Sequence, residues 1–176
     1  GLTMDAWFDG LRAGHAFVST GPLVEFTVDG AIPGETVNLP EEGGTVELRA
    51  WVRSITPIER LILVWNGKVI EEVLVEENRH EAELSRTLSV SGSGWYHLRV
   101  EGGTDERFPL DADFAQAFTN PVWITVGDHP VRSQESAAYS LRWIDKLQGM
   151  AEAWPGWRSV RERLHVFEQF EQARQV

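Results

Sequence analysis

Thr45-Val46-Glu47-Leu48-Arg49-Ala50-Trp51-Val52 decides the fold of this chain. Val46, Leu48, Ala50 and Val52 share one parity, and Thr45, Glu47, Arg49 and Trp51 the other. Period two over such a run is the mark of a strand with one buried and one wet face, because successive side chains point to opposite sides of a sheet. The same period extends outward in both directions. On the N-terminal side Val24, Phe26 and Val28 alternate with Glu25 and Thr27, and Asp29-Gly30 and Pro33-Gly34 are turn signals. On the C-terminal side Leu61-Ile62-Leu63-Val64-Trp65 and Lys68-Val69-Ile70 flank Asn66-Gly67. That dipeptide signals a tight hairpin, since both central turn residues must take positive φ.

Farther on, Ala82, Leu84, Leu88 and Val90 share a parity that Arg86 interrupts. Gly92-Ser93-Gly94 turns the chain, and Tyr96, Leu98 and Val100 then alternate with Trp95, His97 and Arg99. Val122, Ile124 and Val126 form a last strand. Roughly seven short strands punctuated by turns predict a mainly β fold, an immunoglobulin-like antiparallel β-sandwich. A closed barrel is the competing topology, which alternation alone leaves open. The polar stretch Glu101–Ala117 reads as a surface loop.

Both ends read as helical. Thr3 caps a short helix with Trp7 and Leu11 on one face and Gly14 as its stop. Leu11 to Leu23 then reads as a junction: a helix end, a strand, and a Gly21-Pro22 turn into a second strand. A chain that opens this way is expected to be cut from something larger. Ser133 caps a second helix with Ala137, Leu141, Ile144 and Leu147 on one face, broken at Trp154-Pro155-Gly156. Ser159 and Glu162 fit a capping box for a third, with Val160, Leu164 and Phe167 along its stripe. The expected organisation is a helix and junction strand from an upstream domain at 1–22, a β-sandwich at 23–130, and a C-terminal helical hairpin at 131–176. The hairpin is expected to pack on the sandwich or on a neighbouring domain.

With 176 residues the chain can bury a core without staples, and with no cysteine it has no disulfide, thiolate metal site or thiol nucleophile. Its net charge of −11 repels phosphate backbones, so nucleic acid is not an expected partner. No apolar run reaches the ~20 residues of a membrane span.

Chemistry is sparse in the motifs. His15, His80, His97, His129 and His165 fall in no zinc-type spacing. Asp111-Ala112-Asp113 lacks the remainder of a calcium loop. Ser91-Gly92-Ser93-Gly94 is no nucleophile elbow, and Glu71-Glu72 and Glu76-Glu77 suit a charged strand edge that resists aggregation. No catalytic, cofactor-binding or metal-binding residue is therefore assigned. Trp51 and Trp95 stand on the parity opposite to their strands' apolar residues. They make either a second packed face or a platform for sugar rings.

Three stretches carry a family resemblance. Trp7-Phe8-Asp9-Gly10-Leu11-Arg12-Ala13-Gly14 with Phe17-Val18-Ser19-Thr20-Gly21-Pro22 resembles the segment that follows the catalytic barrel in bacterial PHP-type, carbaryl-hydrolase-like metal-dependent hydrolases. Gly94-Trp95-Tyr96-His97-Leu98-Arg99-Val100 is similar to a later strand of that family, and Phe118-Thr119-Asn120-Pro121-Val122-Trp123-Ile124-Thr125-Val126 to another. The Ser133–Val176 helices look like the tail of such proteins. His15 departs from the family's usual Arg, and Thr20 from its frequent Asn.

The resemblance covers nearly the whole chain and implies a non-catalytic, C-terminal accessory domain, a fragment that packs on and supports a missing catalytic barrel. The family's divalent metal and its His and Asp ligands belong to that barrel, so no cofactor is expected in this chain. The resemblance also implies the upstream catalytic domain as partner and a periplasmic or extracellular setting; a docking surface left bare by truncation is further expected to pair two copies of the fragment. The alternative is a carbohydrate-binding or adhesive β-sandwich module.

Overall fold

The computed structural model describes residues 3–103 and 114–175, in two compact units, Gly1–Val131 and Arg132–Val176. In the first, α1 (Met4–Arg12) precedes β1 (Phe17–Ser19), β2 (Leu23–Val28), β3 (Thr36–Leu39), β4 (Gly44–Arg53), β5 (Ile58–Trp65), β6 (Lys68–Leu74), β7 (Glu81–Val90), β8 (Gly94–Gly102), β9 (Ala115–Thr119) and β10 (Val122–Val126). β2, β4 and β7 form a three-stranded antiparallel sheet; the other strands form a larger one. The two sheets make a sandwich, and the barrel alternative does not hold.

The β4 pattern behaves as its sequence requires. Val46, Leu48, Ala50 and Val52 are buried, and the residues between them face outward. They meet Leu61, Leu63, Leu98, Val100 and Ile124 of the larger sheet in one core. Each fully buried aliphatic side chain contributes about 1.5–3 kcal/mol, so this double layer is the main source of stability.

Turn chemistry sets the connections. Asp29 (φ 48°) and Gly30 (φ 80°) close one tight turn, and Asn66 (φ 49°) and Gly67 (φ 80°) close the β5–β6 hairpin. Ser19 Oγ donates to Pro22 O and accepts from the Gly21 amide, which fixes the bend between β1 and β2.

β8 is the hub of the larger sheet. One side pairs with β5 along its length; the other pairs with β9 at one end and β10 at the other. β9 and β10 thus read as one strand interrupted at Asn120-Pro121. β1 runs antiparallel to β9, so the junction strand is hydrogen-bonded into this sheet. β3 runs parallel to β10, which makes the sheet mixed and not purely antiparallel.

The stretch expected as a surface loop, Glu101–Ala117, is strand at both of its ends. β8 continues to Gly102 and β9 starts at Ala115. Ala115 and Ala117 are buried because partner strands cover them, a signal that two small residues cannot give alone. Asp111-Ala112-Asp113 lies outside the described residues.

The second unit is a helical hairpin, α2 (Gln134–Glu152) and α3 (Val160–Ala173). Ser133 Oγ accepts from the Ser136 amide, and Ser159 Oγ from the Glu162 amide. Glu162 reaches back to the Arg158 amide at 2.8 Å, one residue earlier than a regular capping box. Arg174 ties the end of α3 to α2 through Asp145 (2.9 Å) and Gln148 (2.6 Å). No residue of either helix is fully buried.

Candidate functional site

The N-terminal helix carries the first candidate surface. Thr3 Oγ1 accepts the Ala6 amide and starts α1, and Gly14, at φ 80°, lets the chain leave it. Met4, Trp7, Phe8 and Leu11 recur at the spacing of one helix face. All four are exposed, Trp7 by 54% and Met4 by 67%. In β1, Phe17 and Val18 are exposed as well. An amphipathic helix normally gains its stability by burying such a stripe, and here nothing among the described residues covers it.

Two further candidates are the outer faces of the sheets, where the sequence set Trp51 and Trp95. The structure separates them. Trp51 sits on the three-stranded sheet, flanked in register by Glu25 and Glu83, with its indole N–H donated to Glu81 at 3.1 Å. Trp95 sits on the larger sheet directly opposite Trp123, their rings 6.5 Å apart and inclined at 62°. His97 stands beside Trp95 with ring centroids 5.7 Å apart. Parity could not show the Trp95–Trp123 pairing, because it depends on the β8–β10 register. These tryptophans do not make one flat row: they lie on two sheets, and the paired rings meet edge to face.

Half-burial shapes the His97 imidazole. Desolvation holds its pKa below the usual 6.5, Arg99 on the same face adds to that, and a backbone hydrogen bond at Leu98 opposes it. The other histidines are scattered. His129 Nε2 lies 2.7 Å from Glu41 Oε1, both exposed, in the turn after β10. His80 Nδ1 contacts the Ser54 carbonyl, while His15 and His165 are exposed. Among the described residues, no three His, Asp or Glu side chains come together as metal ligands. Glu71 and Glu72 lie on β6, an edge strand, and face Arg86 and Arg60 respectively.

A fourth candidate, absent from the sequence reading, is a cleft of about 410 Å³ at one end of the sandwich. The β5–β6 hairpin and the turn between β7 and β8 enclose it, and Trp65, Asn66, Ser89, Ser91, Ser93 and Tyr96 contribute to its lining. Trp65 and Tyr96 are opposite each other in register, rings 4.3 Å apart. Both had registered only as strand residues.

No protein-family model matches the chain, and no curated protein matches it significantly. Among solved structures, the chain is similar to the CARDB domain of a Pyrococcus furiosus protein studied in solution by NMR. That likeness has 15% identity and a TM-score of 0.38, and covers 60% of this chain and 96% of that one. A crystal structure of a CARDB domain from the same organism, in complex with di-metal ions, aligns with 13% identity and a TM-score of 0.37, over 62% of this chain and 97% of that one.

Proposed function

We propose that this chain is a non-catalytic accessory module that packs, through α1 and β1, on the catalytic barrel of a metal-dependent hydrolase. The observation that carries it is the uncovered stripe of Met4, Trp7, Phe8 and Leu11 on α1, with Phe17 and Val18 of β1 exposed as well. An uncovered apolar helix face of this kind marks a docking face. It also lies in the segment whose sequence resembles the stretch after the barrel in PHP-type hydrolases. On this reading the metal and the reacting groups belong to the barrel, and the module braces the barrel and shapes its substrate entrance. Two copies of the module pair through the same stripe when no barrel is present. The setting, on the family resemblance, is periplasmic or extracellular.

The genomic reading frame upstream of Gly1 tests the proposal. A barrel with an early His-x-His and a late Asp-x-His is the expected finding. A start codon and ribosome-binding site adjoining Gly1 would overturn it.

A further inference from the structure

The cleft between the β5–β6 hairpin and the β7–β8 turn has a chemistry unlike the rest of this acidic chain. No Asp, Glu, Lys, Arg or His lines it, although the chain carries a net charge of −11. Its walls combine two aromatic residues, Trp65 and Tyr96, with serines, an asparagine and aliphatic groups from Ile70 and Leu88. Its volume, about 410 Å³, is within the range of small-molecule sites.

Ser93, Asn66 and Tyr96 have definable polar roles. Ser93 Oγ is committed to structure: it donates to the His129 carbonyl and accepts from the Val126 amide. Asn66 Oδ1 accepts from the Trp95 amide, so the Asn66 amide nitrogen keeps its donors. Tyr96 is only 3% exposed, yet no described residue hydrogen-bonds its hydroxyl. The hydroxyl itself keeps contact with solvent, since among the described residues the buried side-chain polar atoms without a hydrogen bond are the Arg99 Nε and the Trp157 indole nitrogen. Burial also pushes the Tyr96 phenol up, so the group remains an O–H donor at neutral pH. Trp65 is held in place beside these groups. Its ring lies against Gly94, where a Cβ would come within 2.3 Å of it, and against Tyr96.

We propose that this cleft binds a neutral sugar ring, stacked on the Trp65 indole and hydrogen-bonded by the Tyr96 hydroxyl and the Asn66 amide. A pyranose matches this lining, because its C–H face suits an indole and its hydroxyls suit neutral donors and acceptors. A charged ligand would find no counter-ion here. The site is independent of the docking stripe on α1, and neither reading depends on the other.

The test is an NMR titration of the full chain, following the Trp65 indole N–H with cellohexaose, maltohexaose and mannohexaose, and with glucuronic acid as the charged comparison. At least one neutral oligosaccharide should shift the Trp65 signal saturably. Tyr96→Phe, which keeps the ring and removes the hydroxyl, should weaken that binding about tenfold, the loss expected for one hydrogen bond. No saturable shift up to ~10 mM, a range that reaches past affinities of ~1 mM, would overturn the proposal. So would unchanged affinity in Tyr96→Phe, or equal binding of glucuronic acid.

Discussion

Arg86 of β7 and Glu71 of β6 clamp the two sheets together across the rim of the sandwich. The Arg86 Nε lies 2.8 and 3.0 Å from the two Glu71 carboxylate oxygens, and its terminal nitrogen also meets Oε1. Arg86 shares its parity with Leu84 and Leu88, and Glu71 stands opposite Leu63. Both charges therefore replace apolar residues at the edge of the core. The hydrogen bonds to Glu71 raise the Arg86 pKa further above its usual value. With side chains 39% and 30% exposed, the pair is screened, and its coupling is expected to be about 1 kcal/mol at most. Arg86→Leu alone strands the Glu71 carboxylate at an apolar rim and should destabilise the fold. Arg86→Leu with Glu71→Leu should recover much of that loss. A double-mutant cycle by urea denaturation reads the coupling, and a zero coupling at low salt would refute the clamp.

His97 gives the fold a pH dependence of definite sign. Its folded-state pKa is depressed below 6.5 by burial and by Arg99. Above 6.5 the ring is neutral in folded and unfolded chains alike, and its contribution is at its full value. As pH falls below 6.5 the unfolded chain takes up the proton first, so stability declines until the folded-state pKa is passed and then levels off. Urea midpoints measured from pH 7.5 downward should show this loss. His97→Gln should flatten that part of the profile; an unchanged slope in the variant would assign the effect elsewhere.

The sandwich was legible because its strands are amphipathic. Val46 to Val52, Val24 to Val28 and Tyr96 to Val100 announce their buried faces without help from neighbours. β3 and β9 are short, and they exist because β10 and β8 offer hydrogen bonds, which no local pattern records. The same limit applied to the sites. Parity placed Trp51 and Trp95 opposite their strands' apolar residues but could not say that the two faces belong to different sheets. Nor could it bring Trp65 to Tyr96, since strand register creates that contact. The stripe on α1 was half visible, through Trp7 and Leu11; its exposure was not, because exposure depends on what the fold leaves uncovered.

Gly34 should be among the most demanding of the described glycines. It sits at φ 96°, and an added Cβ would lie 2.0 Å from the Ala13 carbonyl oxygen. Its amide donates to the Pro121 carbonyl at 2.8 Å, beside the bond from Asn120 Nδ2 to the Gly14 carbonyl. This knot joins the end of α1, the start of β3 and the break between β9 and β10. Gly34→Ala is expected to cost at least ~2 kcal/mol, from backbone strain and a clash that only main-chain movement can relieve. Gly30→Ala is the control: it shares a positive φ but has open space around it, so its cost should be about 1 kcal/mol. Equal losses in thermal unfolding would show that the close approach to Ala13 is not what constrains Gly34.

Exposure of the α1 stripe predicts that stability and association will respond differently to its mutation. Trp7 is 54% and Leu11 45% exposed, so replacing either with Glu removes little buried area from the isolated chain. Each change should move its unfolding free energy by no more than about 0.5 kcal/mol. If the stripe is the docking face, the same charge placed at its centre must be desolvated on association, which is costly for an unpaired carboxylate. Trp7→Glu should therefore weaken self-association in sedimentation velocity while leaving the unfolding midpoint nearly unchanged. A large stability loss would mean that Trp7 belongs to the core of the module. Unchanged association together with unchanged stability would remove the stripe from the docking surface and leave the outer sheet faces as the remaining candidates.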